Sequence, residues 1–176
     1  MLFRSKEKII EYYMDVAFST SILSTAKKLK VGAVLVKNGN IIGFSYNGTP
    51  RGWDNECEEK IWMGVDAGGW LDIEQIEKQW PFEEHSNRYA LKTKPEVSHA
   101  EENLILKLAR STESSDGSVM FVTHNPCYTC SRMIYGAGIT KVFYENEYRD
   151  SSGIEFLNKC GVEVNRYVRR NNQNNV

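Results

Sequence analysis

SVMFVTHNPCYTCSRMIYGAGITKVFYEN, residues 118–146, reads as strand, helix, strand, and the rest of the chain extends that alternation in both directions. SVMFVTH (118–124) is a short apolar run of the buried-strand type. Pro126 is expected to open a helix that runs to about Ala137 and is ended by Gly136 and Gly138, after which KVFYEN (141–146) forms a strand. Downstream, GIEFLNKC (153–160) reads as a short helix and VEVNRYV (162–168) as a last strand, with NNQNNV as a polar, frayed end. Upstream, Ser98 to Arg110 carries Ala100, Leu104, Ile105, Leu108 and Ala109 on one apolar stripe, the mark of a helix. VGAVLVK (31–37) and NIIGFSYN (40–47) flank Asn38-Gly39, a strong hairpin signal. Ile9, Ile10, Tyr13, Met14, Val16 and Ala17 recur at helical spacing, predicting an amphipathic helix over about 5–26. This order predicts a three-layer α/β/α domain around one mixed central sheet, with no internal repeat.

The pattern breaks from Thr49. An acidic, Trp/Gly-rich stretch at about 53–97 holds Trp53, Trp62 and Trp70, with weak helical periodicity around Leu71 to Trp80. It reads as an insertion into a single domain over 1–176, because so short and acidic a segment could hardly build a core of its own.

The chain has 176 residues, 41% apolar and 26% charged, which is the balance of one globular domain. A chain of this length buries roughly 70% of its unfolded surface and needs no disulfide staples. No apolar run approaches the roughly 20 residues that cross a bilayer, and MLFRSKEKIIEYYMDVAF lacks the apolar core of a signal peptide. A cytoplasmic setting without membrane partners is expected. Net charge is −1, and from Asp54 to Glu84 ten acids face only Lys60 and Lys78. A stretch of net charge −8 repels a phosphate polymer, so no nucleic-acid polymer is expected as partner. Local basic groups at Lys27, Lys28 and Lys30, and at Arg166, Arg169 and Arg170, still allow a small anion.

Cys57, Cys127, Cys130 and Cys160 are the cysteines, and Cys127 and Cys130 form Cys-x-x-Cys after Pro126. In a chain without a secretory signal, that spacing reads as metal or redox chemistry before it reads as a disulfide. His99-Ala100-Glu101 opens one predicted helix and Pro126-Cys127-x-x-Cys130 opens another. One imidazole and two thiolates suit zinc (Zn2+), and three protein ligands leave a fourth position for water, as catalytic zinc requires. The positive end of a helix favours the thiolate. Zinc lowers the pKa of bound water to about 7, and Glu101, two residues from His99, is placed to carry its proton. Histidine-x-glutamate with Pro-Cys-x-x-Cys is the pairing of zinc deaminases. Simpler readings exist for each part. Ser98-x-x-Glu101 fits a helix capping box, spacing does not choose between Glu101 and Glu102 as the base, and an isolated Cys-x-x-Cys serves redox pairs or half of a structural zinc site. The two motifs together favour the zinc site.

His99-Ala100-Glu101 and Pro126-Cys127-Tyr128-Thr129-Cys130 resemble the cytidine/deoxycytidylate deaminase superfamily. Val31 to Gly39 and the stretch Gly43-Phe44-Ser45-Tyr46-Asn47-Gly48-Thr49-Pro50-Arg51-Gly52 narrow the resemblance to the dCMP deaminases, above all the bacteriophage members, over about residues 5–168. The resemblance implies zinc on His99, Cys127 and Cys130, Glu101 as proton shuttle, and Asn47 on the deoxyribose 3′-hydroxyl. It implies hydrolysis of dCMP to dUMP and ammonia for thymidylate synthesis, in a homo-hexamer activated by dCTP and inhibited by dTTP. A magnesium ion (Mg2+) would accompany the effector triphosphate. Gly43, Tyr46, Gly48, Arg51 and Gly52 would serve the effector, and Arg110 would serve subunit contact or effector response. Lys30 and Arg149 are candidates by position for the 5′-phosphate, and Tyr148 for stacking near the base.

Two departures stand out. Leu104 occupies a position where the family has a small residue, which alters packing below the site. Some phage relatives hold a second, structural zinc, but here Ala26 and Tyr89 stand at aligned positions. Cys57 and His85 alone make a poor site, so no second zinc is expected and Cys57 reads as a buried thiol. The rival readings are a deaminase acting on tRNA or single-stranded DNA and a non-catalytic zinc-binding regulator; the acidic insertion opposes the first and the intact Glu101 the second.

Overall fold

A computed structural model describes residues 2–64, 71–148 and 150–169, with side chains from Lys6 onward. The expected frayed end at 171–176 and the phosphate candidate Arg149 lie outside the described residues. A five-stranded sheet runs in the order β2-β1-β6-β7-β8. Its strands are β1 (Gly32–Lys37), β2 (Asn40–Tyr46), β6 (Val119–His124), β7 (Lys141–Asn146) and β8 (Glu163–Arg166). β1 pairs antiparallel with β2 and β6, while β6, β7 and β8 run parallel, so the sheet is mixed as expected. Asn38 and Gly39 have φ of 52° and 77°, the doubly left-handed turn that Asn-Gly favours.

Alternation along the strands separates two cores. Val34, Val36 and Phe121 face Tyr13, Met14 and Ala17 of α1 (Leu2–Ser21). Ala33, Leu35, Met120, Val122 and Val142 face the other way, toward α3 (Ala100–Leu108), α4 (Tyr128–Gly136) and α5 (Ser152–Lys159). The three layers follow from that two-residue period. Among the described residues no helix is long and apolar enough to cross a membrane.

α1 stops at Ser21 rather than near residue 26. Thr20 and Ser21 donate their hydroxyls to the carbonyls of Val16 and Phe18, at 2.8 and 2.7 Å, inside the last turn. Beyond it the backbone finds other partners: Ala26 N–H donates to Ser24 Oγ at 3.2 Å, and Lys27 N–H to the Glu58 carboxylate at 3.1 Å.

The 53–97 insertion contains β3 (Glu58–Trp62), α2 (Ile73–Gln79), β4 (Phe82–Glu84) and β5 (Asn87–Thr93). α2 answers the periodicity around Leu71 to Trp80; the strands have no counterpart in the sequence reading. They form a separate antiparallel sheet, β3-β5-β4, whose register aligns Trp62, Tyr89 and Phe82 as one aromatic row with ring centroids 5.2 and 5.4 Å apart. Glu59–Lys92 at 3.1 Å and the close Lys60–Glu84 pair span the same strands. Cross-strand pairs of this kind hold a sheet together without the apolar alternation that identifies a strand in sequence.

Leu104 is fully buried, and a Cβ on Gly43 of β2 would lie 3.0 Å from its Cδ1, so the large residue in α3 sits where β2 offers no side chain. Leu104→Ala is expected to cost about 2–5 kcal/mol in urea unfolding. A loss below about 1 kcal/mol would show that this contact does not support α3.

Candidate functional site

β6 and β7 are parallel, so His124 and Asn146, paired at their carboxyl ends, mark one edge of the sheet. Such edges are where α/β sheets bind ligands. His99 is the N-cap of α3 and Cys127 the N-cap of α4, each with extended backbone. Pro126 therefore precedes the cap and does not open the helix. The reason is local: Cys127 Sγ accepts the N–H of Cys130 at 3.5 Å, filling the cap itself.

His99, Cys127 and Cys130 offer three ligand atoms that lie within 4.8 Å of one another. His99 Nδ1 is 3.6 Å from Cys127 Sγ and 3.4 Å from Cys130 Sγ. Hydrogen bonds from Cys130 and His99 hold the Cys127 thiol down at about 3. The bond to Cys127 raises the pKa of His99, and with burial it raises that of Cys130. One thiolate, one thiol and one imidazole thus share protons across a space that a cation fits. The donor set suits zinc, and both caps point N–H-rich helix ends at the thiolate.

The two adjacent glutamates have separate surroundings. Glu102 returns to accept the His99 N–H at 3.3 Å, so the capping box starts at His99 rather than Ser98. Glu101 is only 4% exposed, and burial pushes its pKa up to about 7. Ser98 instead exchanges two backbone hydrogen bonds with Gly48, at 3.0 and 3.1 Å, and Asn103 Nδ2 donates to the Tyr46 carbonyl at 3.0 Å. These bonds fix the end of the hairpin against the start of α3.

A cavity of about 400 Å³ is lined by His99, Cys127, Glu101, Asn47 and Tyr148 among others, within the usual size of small-molecule sites. Asn47 accepts the Val31 N–H and donates to the Leu29 carbonyl, both at 2.8 Å. One amide N–H and one lone pair remain for a ligand. Lys30 is exposed and does not line the cavity. Gly43, Tyr46, Gly48, Arg51, Gly52 and Arg110 do not line it either. Gly43 faces Leu104, Gly48 bridges to Ser98, Tyr46 lies under the Lys107 ammonium, and Arg51, Gly52 and Arg110 are exposed. Cys57 is buried against Ala26 and Val97, its Sγ 3.4 Å from Thr25 Oγ1.

Lys28, Glu58, His124 and Asn125 also line the cavity and escaped the sequence reading. His124 and Asn125 stand between a strand end and Pro-Cys, a position from which parallel-strand topology could have drawn them. Burial lowers the His124 pKa, and its ring meets Tyr148 edge-on at 6.5 Å. Buried Asn125 donates to the Asp150 carbonyl at 3.0 Å and accepts the Tyr148 N–H, which holds Tyr148 at the cavity wall. Lys28 and Glu58 carry no local signal.

Residues 7–146 match the family model of the cytidine and deoxycytidylate deaminase zinc-binding region. The deoxycytidylate deaminase of Enterobacteria phage T4 is 31% identical over 172 residues, covering 90% of this chain and 89% of that protein. The human deoxycytidylate deaminase is 30% identical over 166 residues, covering 90% and 79%. A crystal structure of the dCMP deaminase from cyanophage S-TIM5, in complex with dCMP and dUMP, superposes with a TM-score of 0.70 at 40% identity, over 91% of this chain and 97% of that one.

His99→Ala, Cys127→Ser and Cys130→Ser are each expected to lower metal affinity enough that zinc is lost on dialysis against a mild chelator, read by elemental analysis. Retention of the wild-type zinc content by all three variants would place the metal elsewhere.

Proposed function

The chain belongs to the cytidine and deoxycytidylate deaminase family, and from that membership we propose that it hydrolyses dCMP to dUMP and ammonia. The observation that carries this reading is a buried carboxylate, Glu101, beside a His/Cys/Cys trio in a cavity of small-molecule size. His99, Cys127 and Cys130 hold zinc. Bound there, zinc supplies the Lewis acidity that makes water nucleophilic at neutral pH.

Glu101 accepts a proton from the attacking water and delivers protons to N3 and then to the departing amine. A C4–O bond forms, the C4–N bond breaks, and ammonia leaves. Glu102 is held in the cap of α3 and stays out of this exchange. Asn47 presents its remaining N–H and lone pair to the sugar 3′-hydroxyl, and its two backbone bonds keep the amide from turning away. Tyr148 borders the base, held through its own N–H by Asn125.

The proposal extends to a homo-hexamer that supplies dUMP for thymidylate synthesis, is activated by dCTP and is inhibited by dTTP. The family resemblance of residues 43–52 supports this part.

Glu101→Gln is expected to lower kcat for ammonia release from dCMP by about 10²–10⁴-fold or more while zinc stays bound. Near-wild-type turnover would remove Glu101 from the chemistry. Sedimentation and initial rates are expected to respond to dCTP and dTTP in opposite senses; indifference to both nucleotides would end the regulatory part of the proposal.

A further inference from the structure

We propose that Lys28, held in place by Glu58 of the insertion, recognises the 5′-phosphate of the nucleotide. The inference rests on reading the cavity as a dCMP site and identifies the group that distinguishes nucleotide from nucleoside.

A phosphate monoester carries close to two negative charges at neutral pH and needs cationic or N–H partners to leave water. Among the described residues that line the cavity, Lys28 is the one lysine or arginine. Three carboxylates also line it, and each has other engagements. Glu147 pairs with Arg166 at 2.6 Å, and Glu101 stands beside the His/Cys/Cys trio. Glu58 is 7% exposed and accepts the backbone N–H of Lys27 on both oxygens and that of Lys28 on one, all at 3.1 Å.

The neighbouring lysines are also engaged. Lys27 pairs with Glu56 at 3.0 Å, Lys92 with Glu59 at 3.1 Å and Lys94 with Asp54 at 3.4 Å. Lys28 has no such ion pair among the described residues. Its backbone is fixed while its ammonium is available to an anion in the cavity.

The insertion supplies the fixing group. Glu58 begins β3 and pairs in register with Thr93 at the end of β5, and both residues line the cavity. The separate sheet therefore contributes a wall of the site. Glu58 is a positioning residue: it contacts Lys28 through the backbone and acts on phosphate only through it.

The test compares ligands that differ only in phosphate. Binding of dUMP and of deoxyuridine to the zinc-loaded protein is measured by calorimetry for wild type, Lys28→Gln, Lys28→Arg and Glu58→Gln, beside kcat/KM for dCMP and deoxycytidine. Lys28→Gln is expected to weaken dUMP binding about ten- to hundredfold and to leave deoxyuridine within about twofold. Lys28→Arg is expected to keep most of the dUMP affinity, and Glu58→Gln to lose part of it without touching deoxyuridine. Equal loss on both ligands, unchanged dUMP binding in Lys28→Gln, or a wild type that prefers neither ligand would overturn the proposal. A wild type that binds dUMP through Lys28 but releases no ammonia from dCMP would sink the deaminase reading and leave the phosphate site standing.

Discussion

Two helix N-termini meeting at the carboxyl edge of one sheet are the constraint on which the site depends. The N-terminus of a helix leaves backbone N–H groups without intrahelical partners. In α4 the side chain that meets this need is Cys127, itself one of the trio; in α3 the cap residue is His99, whose own N–H is met by Glu102. Each cap residue therefore has its backbone geometry set by the helix and its side chain turned toward the neighbouring helix end. The sheet makes that meeting possible, because β6 feeds α4 at the edge where Ser98, bridged to Gly48, delivers α3. α5 closes the arrangement from the side. A Cβ on Gly153 would lie 2.1 Å from the Pro126 carbonyl, so only glycine lets α5 approach the Pro-Cys turn so closely.

The insertion carries much of the acidity of the sequence, and folding redistributes it. Asp54, Glu56, Glu59, Glu77 and Glu84 all pair with lysine or arginine side chains, four of the five cations coming from outside the 54–84 window. Exposed pairs of this kind add about 0–1 kcal/mol each, so their main consequence is to soften the local field. Glu58 differs from them. It is buried, and it satisfies main-chain donors of a loop that would otherwise have no regular partner after α1 ends. One carboxylate thereby joins the small sheet to the wall of the cavity.

What was legible in the sequence was local. The Asn38-Gly39 hairpin, the buried strand before Pro126 and the amphipathic helices each announce themselves within a few residues, because turn chemistry and hydrophobic period act over that range. The trio was legible because metal ligation needs particular residue types at a helix start. The strands of the insertion were not, since Trp62, Tyr89 and Phe82 meet only across strands. The early end of α1 was hidden because competition from Ser24 and Glu58 arises only once the chain has folded. Lys28 and Lys30 look alike in sequence, and only the tertiary path of residues 24–31 puts the first at the cavity and leaves the second outside it.

The same logic separates Glu101 from Glu102, which spacing alone left undecided. An α-helix turns about 100° per residue. Adjacent side chains near its start therefore cannot share one environment. With Ala100 and Leu104 fully buried, the phase of α3 is fixed. Glu101 falls within the buried sector, and Glu102 falls where its carboxylate can reach back to the His99 N–H. Capping draws on the glutamate three residues after the cap, and the position beside it is carried into the interior. Burial of Glu101 would be costly for a carboxylate with no task, since an ionised group leaves water at a penalty of several kcal/mol. That the chain bears this penalty beside its metal-ligand trio, while the neighbouring glutamate serves the helix, is the physical reason to assign the chemistry to Glu101.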